Sequence, residues 1–211
     1  MDRPAADDSG DREDDPILQR VLSDSAYDRV RTERFSHFKQ PVPQKLRAQC
    51  LLLGALTLVL PLYILFPGDA GAYFSTNPTV ASPTVLLLGL FALVIELGTA
   101  ALLVGVALYR ARYEPLDEDQ ALSLFITETF AAYLAFGTGA LAVLVMLAVL
   151  ALGLGGAATV GAYVEAMDGA NPFQASGLGL SVEAFATLAL ACALTVYVAK
   201  GYAATRLLAL D

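Results

Sequence analysis

The sequence predicts an all-α integral membrane protein, a four-transmembrane-helix bundle with a cytoplasmic amphipathic N-terminal helix. Three observations carry that expectation. Hydrophobic residues make up 56% of the chain and mean hydropathy is +0.59, which places the chain outside ordinary soluble domains. Four apolar stretches, at about residues 46–66, 85–109, 130–153 and 184–205, are each long enough, at about 1.5 Å of rise per residue, to cross a hydrocarbon core of about 30 Å. The charges are segregated as well: of 21 acidic residues ten precede residue 34, and nine of the 13 Lys and Arg precede residue 48.

Taken in order, residues 1–15 (MDRPAADDSGDREDD) are acidic and lack apolar periodicity, which predicts a disordered, solvated tail. No apolar core precedes residue 48, so a cleavable signal peptide is not expected. Residues 16–40 read as the amphipathic helix: Asp15 can cap it, Pro16 suits its first position, and Ile17, Leu18, Val21 and Leu22 recur at helical spacing. Arg29, Arg31, Arg34 and Lys39, with Phe35 and Phe38, would hold its end against lipid headgroups; the alternative is a solvated linker helix. Pro41 and Pro43 are expected to break the chain before the membrane.

The first span contains Pro61, which frees the carbonyl of Thr57 and predicts a helix kink. Ser82 followed by Pro83 reads as the start of the second span. A hinge at 110–116 follows, and Asp117 with Gln120 forms a capping-box pattern that opens a long third helix. Gly153, Gly155 and Gly156 should end or loosen that helix. The connection 157–180 has room for a short helix around 160–167, and Ser181 can cap the fourth span, with Glu183 in its first turn.

Orientation follows from charge. With the N-terminus and the C-terminus cytoplasmic, all 13 Lys and Arg fall on the inner side, as the positive-inside rule requires. Tyr73, Phe74, Tyr163 and Phe173 would form an outer aromatic belt, and Tyr109, Tyr113 and Tyr202 an inner one. The expected place is therefore the cell (plasma) membrane, multi-pass.

A net charge of −8 argues against nucleic acid as a partner. With Asp and Arg in excess over Glu and Lys, and with abundant Ala and Gly, the composition resembles that of proteins from salt-loving archaea, whose exposed surfaces are acid-rich. Cys50 and Cys192 are too few and too far apart in depth for a disulfide framework. His37 is the single histidine, and neither cysteine has a partner at ligand spacing, so no metal site is expected. Nucleophile elbow, phosphate loop, dinucleotide turn and zinc motif are all missing, and the chain reads as a non-enzyme without cofactors.

Glu96 is the most informative residue. An ionisable group near the bilayer midplane is costly and by default marks a functional site or a buried contact. Counted from the inner ends of the helices, its layer holds Leu60 and Pro61, then Gly137, Thr138 and Gly139, then Thr187. A protonated Glu96 would donate to the carbonyl freed by Pro61 or pair with Thr138. It reads either as a proton or cation relay or as an interhelical hydrogen bond that fixes helix rotation. Glu128, between Thr127 and Thr129, is the second candidate: a relay that passes ions to Glu96, or an interfacial acid reaching water. Ala186, Ala189 and Ala193 in the fourth span, and Gly98, Ala101 and Gly105 in the second, form small-residue rows suited to close packing.

The expected function is a non-enzymatic accessory or structural membrane component. Its partners would be the lipid bilayer and a membrane or cytoplasmic protein met through the N-terminal arm, or a further copy in a homo-oligomer. The alternative is a small proton- or cation-coupled transporter or channel using Glu96.

Overall fold

The computed structural model describes residues 25–208. The acidic tail and the predicted helix start at 16–24 lie outside the described residues. Within them the chain is helical, and four helices are long and apolar enough to cross a membrane: Val42–Ile64, Val85–Tyr113, Glu118–Gly153 and Val182–Leu207.

The first described helix, α1 (Ala26–Glu33), is short. Residues 34–40 follow as bends and coil rather than as more helix. Ala26 and Tyr27 are buried against Leu116, Ala121 and Phe125. The Arg110 guanidinium stacks 3.8 Å over the Tyr27 ring and pairs with Asp28 at 3.9 Å and Glu114 at 3.5 Å. Ser25 donates to Glu114 from the other side. This helix is thus fastened to the hinge between the second and third long helices. The two phenylalanines expected to act together diverge: Phe38 packs on Tyr133 and Phe136, while Phe35 is 78% exposed.

The first long helix comprises α2 (Val42–Leu56) and α3 (Val59–Ile64). The break expected before the membrane segment is present, across residues 34–40, but Pro41 and Pro43 themselves belong to the start of the new helix. Pro41 is its N-cap and Pro43 lies in its first turn, where a missing N–H costs nothing because that donor would be unpaired in any case. The helix therefore begins about one turn before Leu46. Pro61 has the predicted effect four residues upstream: the α-helix is interrupted at Thr57 and Leu58. The freed Thr57 carbonyl is approached by the Leu60 N–H at 3.3 Å, a tighter turn that satisfies it locally.

The second long helix, α4 (Val85–Tyr113), touches each of the other three. The third is α5 (Glu118–Tyr133), a π-helical turn (Leu134–Gly139) and α6 (Ala140–Gly153). After α7 (Gly156–Ala166) comes the fourth, α8 (Val182–Leu207). Two predicted caps form. Asp117 and Gln120 make a reciprocal capping box, and Ser181 accepts from the Ala184 N–H at 3.1 Å.

The long helices pack closely. The Gly89 position shows how close the approach is. A Cβ there would come within 2.5 Å of the Met146 sulfur and 2.7 Å of the Phe185 ring. The predicted small row in the second helix takes no part, because Gly98, Ala101 and Gly105 are exposed and no atom lies within 4 Å of a Cβ built at either glycine. The buried face of α4 instead carries Gly89, Ala92, Glu96, Ala100, Leu103 and Ala107.

At one end of the long helices the two loops are laced together. The Thr84 N–H donates to Gln174 O at 2.8 Å, the Ser176 N–H to Ser82 O at 2.7 Å, and the Val85 N–H to Pro172 O at 2.9 Å. Ser82 and Pro83 are used in this lacing, with Pro83 bridged to Ala175, and the helix starts two residues later than Ser82–Pro83 suggests. Phe74 and Phe173 are buried, stacked at 4.7 Å with Phe66 edge-on to both. These two form a core under the loops rather than part of the expected outer belt, whose Tyr73 is exposed and Tyr163 half-buried. Gly156, at φ +69°, sits over the Asp69 carboxylate, which accepts from the Ala157 N–H. We call this the capped end, and the opposite one, carrying α1, Arg110, Arg112 and Arg206, the charged end.

Candidate functional site: a buried polar row

Because α2 begins at Val42, its inward face reads Val42, Lys45, Leu46, Gln49, Leu53 and Leu56, all buried. Lys45 and Gln49 lie one helical turn apart on that face. The Lys45 ammonium donates to Glu128 Oε1 at 2.5 Å, with the two side chains 3% and 2% exposed. One turn deeper, Gln49 Nε2 donates to Thr99 Oγ1 at 2.7 Å. The same hydroxyl donates in turn to Ile95 O at 2.8 Å. Glu96 follows Thr99 by one turn toward the capped end and is fully buried. A cleft of about 290 Å³, lined by Phe38, Gln40, Gln44, Lys45, Ala48 and Phe136, reaches the ion pair from the charged end.

The Glu96 carboxylate lies against Gly139, the last residue of the π-helical turn, where a Cβ would overlap its Oε1 and stand 3.2 Å from Ile95 Cγ2. Neither carboxylate oxygen has a hydrogen-bond partner among the described residues, and the same holds for Gln49 Oε1 and Glu128 Oε2. All four are acceptors. A buried acceptor without a donor costs about 1–3 kcal/mol, so these atoms are where a proton or a water molecule would be held most strongly.

The structure places the predicted residues unevenly. Glu96 and Glu128 are both buried on helices that touch. Glu128 is not an acid reaching water, because Lys45 covers it. Thr138 is exposed and lies off the face that meets Glu96; its neighbour Gly139 takes that place. Pro61 is exposed too, and the carbonyl it frees is satisfied within its own helix, so it does not receive a proton from Glu96. Lys45, Gln49 and Thr99 went unassigned in the sequence, whereas Gly139 was placed in the Glu96 layer. The missed signal was available in two spacings, Lys45 to Gln49 at four residues and Glu96 to Thr99 at three.

Chemically, the row offers one neutralised ion pair and one amide–hydroxyl contact, each joining two helices, and one carboxyl without a hydrogen-bond partner among the described residues. Among the described residues no three His, Cys, Asp or Glu side chains converge as a metal would need. Fold and site together define a class: an all-helical chain with four helices able to span a membrane and a polar row buried between them. Comparison with known proteins adds nothing to that class, since no family model, curated protein or solved structure matches the chain.

Proposed function

We propose that this chain is a multi-pass protein of the cell membrane, with both termini cytoplasmic, that serves as a non-enzymatic accessory or structural component. The observation that supports this reading best is the Lys45–Glu128 pair. A buried charge available for transport must be exchangeable, and Glu128 is instead neutralised by a lysine of its own chain at 2.5 Å. Gln49 and Thr99 likewise face each other. At the opposite end the stacked Phe74 and Phe173 and the hydrogen-bonded loops also serve packing. Polar contacts of this kind set the rotation and depth of membrane helices. The charged end, with Arg110, Arg112 and Arg206, is the cytoplasmic one by the positive-inside rule.

The test is mild detergent extraction of the full chain at high salt, with mass determination and identification of what co-purifies. A protein partner at fixed ratio, or a defined homo-oligomer, is the expected result. A monomer holding lipid alone would count against the proposal.

One observation favours a second reading, a proton- or cation-coupled carrier: Glu96 is fully buried and has no hydrogen-bond partner among the described residues. In proteoliposomes, Glu96→Gln would abolish proton or cation flux under that reading. Under the structural one no specific flux is present, and the substitution changes stability only.

A further inference from the structure

A second cleft, of about 390 Å³, opens at the charged end between α4 and α8 and is lined by Leu108, Ala111, Arg112, Tyr202 and Arg206. Both arginines lie in the last turn of their helices. A cation there can serve simply to offset the helix dipole and to snorkel toward water. That role requires neither a shared cleft nor a third polar group, and both are present. The Arg206 guanidinium donates to the Tyr202 hydroxyl at 3.0 Å, which leaves the rest of its fork toward the cleft.

The contrast with Arg110 is informative. Two residues before Arg112 on the same helix end, Arg110 is enclosed by Asp28, Glu114 and the Tyr27 ring. Carboxylates are abundant nearby, at Glu114, Asp117, Glu118 and Asp119, yet the ion pairs formed among the described residues include neither Arg112 nor Arg206. In a chain of net charge −8, two guanidinium groups line one cleft with no carboxylate among its described lining residues. Guanidinium forks match phosphate oxygens in geometry. Leu108 and Ala111 line the same cleft farther from the helix end, where a glycerol backbone and the start of an acyl chain would lie.

We propose that this cleft binds the phosphate headgroup of an anionic phospholipid, held between Arg112 and Arg206, with Tyr202 positioning Arg206. The proposal rests on the membrane reading above and is independent of whether the chain is an accessory or a carrier. The ligand chemistry is a phosphate monoanion, and a lipid is the source we assign because the cleft lies at the ends of two spans.

The test is native mass spectrometry of the full chain in detergent micelles doped with phosphatidylglycerol or with phosphatidylcholine. Phosphatidylglycerol should be retained preferentially. Arg112→Gln and Arg206→Gln should each weaken that retention about fivefold, as expected for roughly one basic contact at a membrane surface, and Arg47→Gln, which removes the same charge on another helix away from this cleft, should not. Equal retention of the two lipids, or equal loss with Arg47→Gln, would overturn the site and leave only diffuse charge. Displacement of the lipid by millimolar inorganic phosphate would overturn the assignment of the lipid as source. All three arginines are exposed, and unchanged helical circular dichroism of the variants excludes misfolding as the cause. Failure of the membrane reading would look different, as a chain recovered from cells in the soluble fraction.

Discussion

Replacing Lys45 by Met breaks the buried ion pair on one side and leaves Glu128 enclosed without a counter-charge. Both side chains are at most 3% exposed and the contact is 2.5 Å, so the remaining carboxylate stays largely desolvated once its partner is gone. Removing one partner of such a pair costs about 3–5 kcal/mol. For a chain of this size that is a fall in midpoint of about 6–20 °C, at about 2–4 °C per kcal/mol. Glu128→Gln should cost a comparable amount, because the ammonium is then left unpaired. The double variant, Lys45→Met with Glu128→Leu, should recover most of the loss, since an apolar pair of similar volume removes both desolvation penalties. The assay is thermal unfolding in a fixed detergent, followed by circular dichroism, for the parent, both singles and the double. Single variants within about 1 kcal/mol of the parent would mean that the pair is effectively solvated. A double variant no more stable than the singles would mean that the two residues are not coupled. Either result refutes the argument.

Two further substitutions test the packing. Gly139→Ala places a methyl group against the Glu96 carboxylate and should cost about 1–3 kcal/mol as overpacking; Gly137→Ala, with nothing within 4 Å of the new Cβ, should cost nothing measurable in the same thermal assay. Tyr27→Phe should be within about 0.5 kcal/mol of the parent, because the Tyr27 hydroxyl is buried without a hydrogen-bond partner among the described residues, whereas Tyr27→Ala should lose about 3–5 kcal/mol through the cavity it leaves.

What was legible in the sequence is what local chemistry decides. A run of twenty or more apolar residues reads as a span whatever surrounds it, and all four are present as long helices. Asp117 with Gln120, and Ser181 with Ala184, make their caps within a single turn. Glu96 is conspicuous as the lone charge in its stretch. Lys45 was not legible because its meaning depends on where the helix begins. Proline in a first turn starts a helix and proline further in breaks one, and nothing local distinguishes the two for Pro43. The Thr138 expectation failed by one position. Adjacent helical residues point about 100° apart, and the π-helical turn shifts that phase again by widening the ring of backbone bonds. A count of depth along the chain cannot fix an azimuth. The outer aromatic belt failed at two of its four positions for a related reason, since Phe74 and Phe173 lie in loops whose fold is set by hydrogen bonds between segments almost a hundred residues apart.

The Lys45–Glu128 pair also has a history in time. Its partners are 83 residues apart in the chain, so on a ribosome adding about 5–20 residues per second the lysine precedes its glutamate by roughly 4–17 seconds. If the helices enter the membrane in chain order, the first and second spans are made while Lys45 has no counter-ion. Its position in the opening turn makes that interval tolerable, because an ammonium on a four-carbon stem can reach the headgroup layer from there. Glu128 can then draw it inward once the third helix arrives. A lysine two or three turns deeper would have had no such refuge while it waited.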